Sequence, residues 1–235
     1  MTMTLASDST IAELDGGPYD IEFFFDPACP FAWQTSQWIR RVQELRGIRV
    51  GWRFISLKII NEGNEDLPDQ VHEAHLRSIR YHRICAAARD ELGNDAVGDL
   101  YREWGERFWY RDSGGEALDR LSEAAEEVDP AAIIADLGLP AHLLDAADDE
   151  SWDAVLRAES DEAFRRTGEG VGTPIITYHP SGNSLFGPVI SSVPDDDAAL
   201  AFYDALRTFV DFPEFSELKR SSRAPLDLPL LRKAS

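Results

Sequence analysis

Cys29 is the residue of this 235-residue chain whose type and position most clearly indicate chemistry. It follows residues 21–25, an apolar stretch rich in β-forming residues that predicts a strand. Asp26-Pro27 ends that strand, and from Pro30 onward the apolar residues recur at helical spacing. Because the N–H groups at the start of a helix favour a thiolate, we expect a reactive cysteine with a lowered pKa; the alternative is a small core residue. Asp26 could raise or lower that pKa, depending on its own burial.

A second predicted strand covers Ile48 to Ile55, where apolar residues alternate with polar or small ones. With the helix between them, the two strands indicate a β-α-β unit whose strands run parallel. Helical patterns separated by glycine and proline breaks follow at 70–92, 95–108, 116–126, 130–137, 140–147 and 149–166. Strands return as a predicted hairpin of 173–178 and 184–186, and a last helix is predicted over 195–210.

The chain has a formal net charge of −20, and most of that charge lies in one region. Residues 61–163 contain 27 acidic and nine basic residues. Such a field repels nucleic acids and anionic membranes, so the composition excludes both as partners. The acidic side chains are interpreted as the solvated surface of a separate helical unit.

The two cysteines, Cys29 and Cys85, are too few for a disulfide framework. No apolar run approaches the length of about eighteen residues that a membrane span needs. Residues 1–18 lack the basic and apolar regions of a secretory signal. We therefore expect a cytoplasmic protein with reduced thiols. Cys85 lies mid-helix beside three alanines, which favours a packed core residue over a second reactive thiol.

Two other patterns could bind a ligand, and neither is strong. Asp69, His72 and His75 share helical spacing, but they lie on an acidic helix where such residues are common without a metal. The glycine-rich stretch 168–172 precedes a predicted strand, whereas a phosphate-binding loop follows a strand and opens a helix. The sequence therefore predicts neither a metal nor a nucleotide cofactor.

Several longer motifs carry a family resemblance that covers nearly the whole chain from residue 19. They are FDPACPFAW (25–33), TSQWI (35–39), SLKIINE with EDLP (within 56–68), VGTPII (171–176), FGPVIS (186–191) and ELKR (217–220). In these motifs the chain resembles the DsbA-like thiol oxidoreductases, and within them the mycothiol-dependent nitroreductase group. The resemblance implies an α/β thioredoxin fold in the order β-α-β and then β-β-α, with a large all-α domain inserted after the second strand.

The domain boundaries that follow are those at which the patterns change. Residues 19–60 and 166–212 would form the two parts of the thioredoxin domain, and residues 61–165 the inserted helical domain. Residues 1–18 are expected to be a disordered leader and residues 213–235 a basic tail. Whether that tail folds back or contacts a second subunit, as in a homodimer, is left open.

The resemblance also implies a site. In thioredoxin-like folds the proline of the Thr173-Pro174 pair is cis and lies against the active cysteine, where the Thr173 backbone can pair with a thiol substrate. A trans proline opening an edge strand is the alternative. Cys29 is the expected catalytic residue, and the expected thiol-binding residues are Pro30, Phe31, Trp33, Thr173 and Pro174.

The chain departs from its dithiol relatives at Ala32, where they have a second cysteine. Alanine cannot resolve a mixed disulfide, so we expect a monothiol cycle in which a second external thiol releases the first from Cys29. The expected cofactor is mycothiol or another low-molecular-weight thiol such as glutathione. The expected substrates are disulfides or small electrophiles such as nitroaromatics.

Two alternatives stay open. In kappa-class glutathione transferases and hydroxychromene-carboxylate isomerases, which share the fold and the helical insert, a side chain steadies a bound thiolate without a covalent bond. The chain could instead be a non-enzymatic, chaperone-like binding protein that lost turnover with the second cysteine. A deep pocket beside Cys29 would favour an enzyme, and an occluded Cys29 would favour the binding protein.

Overall fold

A computed structural model describes residues 14–111 and 117–232, and its centre is a four-stranded sheet. The strands are β1 (Ile21–Phe25), β2 (Val50–Phe54), β3 (Ile175–Tyr178) and β4 (Asn183–Phe186). Their order in the sheet is β2-β1-β3-β4, with β1 and β2 parallel and the other two pairs antiparallel. The predicted α/β thioredoxin fold with helices inserted after the second strand is confirmed.

One helix joins β1 to β2, a group of helices lies between β2 and β3, and one helix follows β4. They are α1 (Pro30–Arg46), α2 (Leu57–Ile60), α3 (Asp69–Leu92), α4 (Asn94–Trp109), α5 (Ala117–Glu127), α6 (Pro130–Asp136), α7 (Asp153–Thr167) and α8 (Asp196–Val210). The predicted helix at 140–147 is a 3-10 helix, Ala141–Asp148, and a 3-10 turn, Glu150–Trp152, precedes α7. The third strand starts at Ile175, two residues later than predicted, because Pro174 has no N–H for the ladder.

Strand β1 has all five residues buried because both faces of the sheet are covered. Phe23 and Phe25 belong to the main core, whereas Phe24 packs with Ala163 of α7 in a smaller second cluster. This explains the nearly continuous apolar run that precedes Asp26, since a central strand covered on both faces needs apolar side chains on each.

Helix α4 packs tightly against β1 and against α1, the helix that begins after Cys29. The Tyr101 ring stacks on the Phe25 ring at 3.9 Å between centroids. A Cβ atom placed on Gly105 would lie only 2.1 Å from the nearest ring carbon of Trp33. The absence of a side chain at Gly105 therefore sets how close α4 and α1 can approach each other.

The two ends of the described chain both contact the folded body. Of the predicted leader, residues 1–13 lie outside the described residues, and the Arg49 guanidinium donates hydrogen bonds to the carbonyls of Gly16 and Pro18. At the other end Leu228 and Leu230 are fully buried, and the 3-10 helix Pro229–Leu231 packs against α4 and α5. The tail thus folds back onto its own chain. Within residues 14–111 and 117–232, no helix is long and apolar enough to cross a membrane.

Gly105→Ala should lower the free energy of unfolding, although alanine ordinarily stabilises a helix by about 1 kcal/mol relative to glycine. The added methyl would clash with the Trp33 ring, and overpacking of this kind costs about 1–3 kcal/mol. Denaturant unfolding would measure the change. Gly172→Ala is the control, because no atom lies within 4 Å of a Cβ at that position. Equal or higher stability of Gly105→Ala would contradict the packing described for α4.

Candidate functional site

The Cys29 side chain lies at the N-cap of α1, between a helix terminus and a loop from the far end of the chain. Its Sγ atom accepts a hydrogen bond from the Ala32 N–H at 3.4 Å and donates one to the Thr173 carbonyl at 3.4 Å. The side chain is 9% exposed. A sulfur atom is therefore held at the boundary of the core, with one face toward helix amides and the other toward a backbone carbonyl.

The local sequence explains why the cysteine is the cap. The Cys29 N–H donates to the Asp26 carbonyl at 3.0 Å, which closes a tight turn directly after β1. Pro30 occupies the first helical position, where its missing N–H removes no hydrogen bond of the helix. Cys29 itself is in an extended conformation, so its side chain points back over the first turn, as a capping side chain does.

The loop that carries Thr173 is fixed by contacts on both sides. The Thr173-Pro174 peptide bond is cis. The Thr173 hydroxyl donates to the Phe24 carbonyl at 3.0 Å, and the Gly187 N–H donates to the Pro174 carbonyl at 2.8 Å. The structure therefore brings Thr173 to Cys29 across 144 positions of sequence.

The prediction of a lowered Cys29 pKa is wrong for the resting chain. Burial, the largest cause, and the negative charge of Asp26 together raise the pKa of the thiol to about 12. The N–H groups of Ala32 and Phe31 act in the opposite direction and lower it, as the sequence indicated. Burial outweighs the helix terminus here because the sulfur has lost most of its contact with water.

Asp26, which is fully buried, connects the end of β1 with two helices. Its carboxylate accepts hydrogen bonds from the N–H of Ala28 and the N–H of Leu57, both at 2.7 Å, and from the hydroxyl of Ser78. His82 lies beside it, with Nδ1 3.9 Å from Oδ2. The carboxylate of Asp26 thus has donors on three sides.

Sequence reasoning missed Ser78 and His82 as neighbours of the site. Nε2 of His82 donates to the Phe25 carbonyl at 3.1 Å, which leaves Nδ1 facing Asp26 without a hydrogen bond to any described residue. Burial lowers the pKa of His82, and the charge of Asp26 partly offsets that effect. The sequence did contain a signal for this pair. Ser78 and His82 are four positions apart, which places two polar side chains on one helix face among buried apolar residues.

The other predicted binding residues differ in their surroundings. Pro30 and Phe31 are half-buried at the start of α1. The Trp33 side chain is fully buried, and its ring lies edge-on to Tyr101 and Tyr110 of the neighbouring helix region. A ligand beside Cys29 can therefore meet Phe31 at the surface, whereas the Trp33 ring belongs to the packing between α1 and α4.

Cys85 is fully buried within α3, and burial raises its pKa as well. No hydrogen bond or ion pair joins it to Cys29 among the residues that the structure describes, and both thiols are free. In the same ranges no group of three or more histidine, cysteine, aspartate or glutamate side chains could hold a metal ion.

Two surface cavities of about 880 and 730 Å³ lie away from the cysteine. The larger runs beside α1 and α4 and includes Trp52 and Tyr110; the smaller runs beside α7 and β4 and includes Arg166. Neither is lined by Cys29, so neither is the pocket expected beside the thiol.

Asp26→Asn should lower the pKa of Cys29, because it removes a negative charge that raises that pKa. The rate of reaction with the neutral disulfide dithiodipyridine, followed against pH in a Cys85→Ala background, would report the thiolate fraction. Glu22→Gln, which alters a different buried carboxylate, one within β1, is the control and should leave the rate unchanged. An unchanged or slower reaction of Asp26→Asn would contradict the assigned effect.

The same substitution should reduce stability. One carboxylate oxygen becomes an NH₂ group that cannot accept the N–H of Ala28 or of Leu57, so one buried donor loses its partner. A decrease in the free energy of unfolding of about 1–3 kcal/mol is expected, measured by denaturant unfolding.

Comparison with known proteins gives a consistent assignment. Residues 28–220 match the family model described as "Rv2466c-like: Mycothiol-dependent nitroreductase Rv2466c". The uncharacterized protein Rv2286c of Mycobacterium tuberculosis is 32% identical over 213 residues, which cover 90% of this chain and 85% of that protein. The structure of the cytosolic disulfide reductase DsbM from Pseudomonas aeruginosa with GSH has a TM-score of 0.50 at 16% identity, covering 80% of this chain and 98% of DsbM.

DsbM shares the fold, whereas the family match and the mycobacterial relative concern the sequence itself. The family match begins one residue before Cys29 and includes the Thr173 loop, so both halves of the site lie within it. The chain therefore belongs to the Rv2466c-like family of mycothiol-dependent nitroreductases.

Proposed function

We propose that this chain is a cytoplasmic, mycothiol-linked oxidoreductase that works by a monothiol cycle at Cys29 on small disulfides or electrophiles. Family membership supports thiol-dependent oxidoreductase chemistry. The specific role proposed for Cys29 rests on its geometry, since its sulfur contacts both the N-terminus of α1 and the Thr173 carbonyl.

The observation that carries the proposal is the hydrogen bond from Ala32 to the Cys29 sulfur. In a Cys-x-x-Cys motif the residue that makes this contact is the second cysteine, and here its side chain is a methyl group. No other described thiol contacts Cys29, since Cys85 is enclosed within α3. Release of a mixed disulfide therefore needs a thiol from solution.

The cycle balances with two external thiols. The Cys29 thiolate attacks a disulfide, forms a new S–S bond and expels one thiolate, which leaves with the electron pair of the broken bond. A free mycothiol thiolate then attacks the outer sulfur of the mixed disulfide and regenerates the Cys29 thiolate. For a nitroaromatic substrate, two thiols that join in a disulfide supply two electrons and two protons, which convert the nitro group to a nitroso group and water.

A second candidate function is favoured by the raised Cys29 pKa. A thiol with a pKa of about 12 is neutral near pH 7 and can donate its S–H, as it does to the Thr173 carbonyl. In that case Cys29 donates a hydrogen bond to the thiolate of a bound cofactor, which is itself the nucleophile. This is the transferase-like or isomerase-like alternative, and it needs no covalent bond to the protein.

Intact-protein mass after incubation with oxidised mycothiol tests the first candidate. One added mycothiol is expected in the wild type and in Cys85→Ala, none in Cys29→Ala, and excess reduced thiol should remove it. Cys85→Ala is a matched control because it deletes the other thiol at a buried helical position. Nitroaromatic turnover with mycothiol should fall to background in Cys29→Ala and remain near the wild-type value in Cys85→Ala.

Other outcomes of that experiment separate the alternatives. Turnover without an adduct, together with saturable binding of reduced mycothiol, would replace the covalent cycle by the non-covalent one. If glutathione formed an adduct and mycothiol did not, glutathione would take the place of mycothiol as the thiol donor. The 9% exposure of Cys29 also fits a non-enzymatic binding protein. The absence of both an adduct and thiol binding would favour that alternative.

The rate of adduct formation should depend steeply on pH. Because the pKa of Cys29 is about 12, the thiolate fraction rises about tenfold for each pH unit through the neutral and mildly alkaline range. The initial rate of mass gain with oxidised mycothiol, measured between about pH 7 and 9, would report this. A plateau within that range would show that the reacting thiol has a pKa far below the value set by burial.

A further inference from the structure

The chain after α8, residues 213–232, crosses back over the body and is called here the C-terminal strap. Its start is held by Phe215, whose ring stacks on that of Phe209 in α8 at 5.1 Å between centroids. Its end is held by the buried Leu228 and Leu230. The family match ends at residue 220, so most of the strap lies beyond it.

The middle of the strap is fixed to the loop that follows Gly187-Pro188. The Ser191 hydroxyl donates to the Ala224 carbonyl at 2.8 Å, and the Asp227 N–H donates to the Ser191 carbonyl at 2.7 Å. That loop is itself joined to α1, because the Thr35 hydroxyl donates to the Pro188 carbonyl at 2.8 Å. The strap is therefore positioned relative to the helix that begins at the active cysteine.

Arg223 is the strap residue that reaches this helix. Its guanidinium carbon lies 5.3 Å from the centroid of the Phe31 ring. Phe31 is two residues after Cys29, and its backbone N–H faces the sulfur and lowers the pKa of the thiol. Phe31 thus contacts the Cys29 sulfur through its backbone N–H and the Arg223 guanidinium through its ring.

The cation on Phe31 has no carboxylate partner among the described residues, and neither do Lys219 and Arg220 nearby in the strap. Several other arginines at the surface have such partners; Arg41 and Arg46, for example, bind carboxylates of α8. In a chain of net charge −20 acidic partners are abundant, so three unpaired cations within five positions are unusual. Of the three, Arg223 is the one whose charge lies against a residue of the site, the ring of Phe31.

We propose that Arg223, resting on Phe31, forms an anion-binding subsite beside Cys29 that selects anionic co-substrates, namely small disulfides or electrophiles with a carboxylate or a similar acidic group. Stacking on a ring leaves the N–H edge of a guanidinium free, and that edge matches a carboxylate with two parallel hydrogen bonds. The inference rests on the proposed function only in taking Cys29 as the reacting group.

The subsite concerns the co-substrate and not mycothiol. Mycothiol carries no carboxylate or phosphate, so an arginine offers its sugar part no charged partner. An anionic co-substrate, in contrast, is repelled by the acidic body of the protein, and a local cation would offset that repulsion at the sulfur. The proposal therefore gives charge recognition to the co-substrate and not to the sugar part of mycothiol.

The test compares two chromogenic disulfides that differ in charge, dithiobis(nitrobenzoate), which is a dianion, and dithiodipyridine, which is neutral. With each, the Cys29 thiolate forms a new S–S bond, the S–S bond of the reagent breaks, and a coloured thiolate leaves with the electron pair. All variants carry Cys85→Ala so that Cys29 is the reporting thiol. Any change in the Cys29 pKa alters both rates alike, whereas a subsite alters the ratio of the two rates.

Arg223→Gln should slow the reaction with the dianion by about three- to tenfold and leave the reaction with the neutral reagent unchanged. Arg223→Lys, which keeps the charge but not the planar fork, should restore part of the ratio. Arg80→Gln is the control, because it removes the same charge from an exposed site paired with Asp148 and should leave the ratio unchanged. Raising the ionic strength from about 0.01 M to about 1 M shortens the screening length from about 30 Å to about 3 Å and should remove most of the wild-type preference.

Equal slowing with both reagents, an unchanged ratio in Arg223→Gln, or an equal fall in Arg80→Gln would each overturn the subsite. Failure of Cys29 to react with either reagent would do so too, because no ligand could then reach it. These measurements use no mycothiol. A charge preference without a mycothiol adduct would contradict the proposed covalent cycle and support the subsite. A mycothiol adduct without a charge preference would support the cycle and contradict the subsite.

Discussion

The site depends on the hydrogen bonds that the buried carboxylate of Asp26 accepts. A charge without access to water must be met by hydrogen bonds, and Asp26 takes them from its own turn, from the start of α2 and from α3. These bonds hold the end of β1, the turn that leads to Cys29 and the long helix of the insert in one arrangement. The position of the sulfur follows from that arrangement, because the Cys29 N–H is bonded to the same residue through its carbonyl.

The Cys29 sulfur experiences two opposing effects. The amides at the start of α1 stabilise a thiolate, while burial and the charge of Asp26 stabilise the neutral thiol, and the latter pair dominates. A resting thiol that is neutral is protected from unspecific oxidation, since the thiolate is the reactive form. In the proposed cycle, activation depends on what the ligand brings to the sulfur. Because Ala32 stands where a second cysteine would act, the proposed release step also needs a thiol from solution.

Charge is divided between two parts of this molecule. The helices between β2 and β3 carry the acidic surface, which keeps anions at a distance from most of the protein. The strap carries cations without carboxylate partners among the described residues, and one of them rests on Phe31 next to the sulfur. Because buried leucines and hydrogen bonds with Ser191 hold the strap, Arg223 has a defined place relative to Phe31.

The sequence by itself determined the order of strands and helices, the place of Cys29 at a helix start and the family. These features rest on local periodicity, on proline and glycine breaks and on motifs, all of which are readable along the chain. Only the tertiary structure decided the sign of the Cys29 pKa shift, because burial depends on residues far apart in sequence. It also brought Ser78 and His82 to Asp26 and Arg223 to Phe31, since such contacts arise from the packing of whole elements. The sulfur's reactivity is a property of that packing and not of the Cys-Pro-Phe-Ala motif alone.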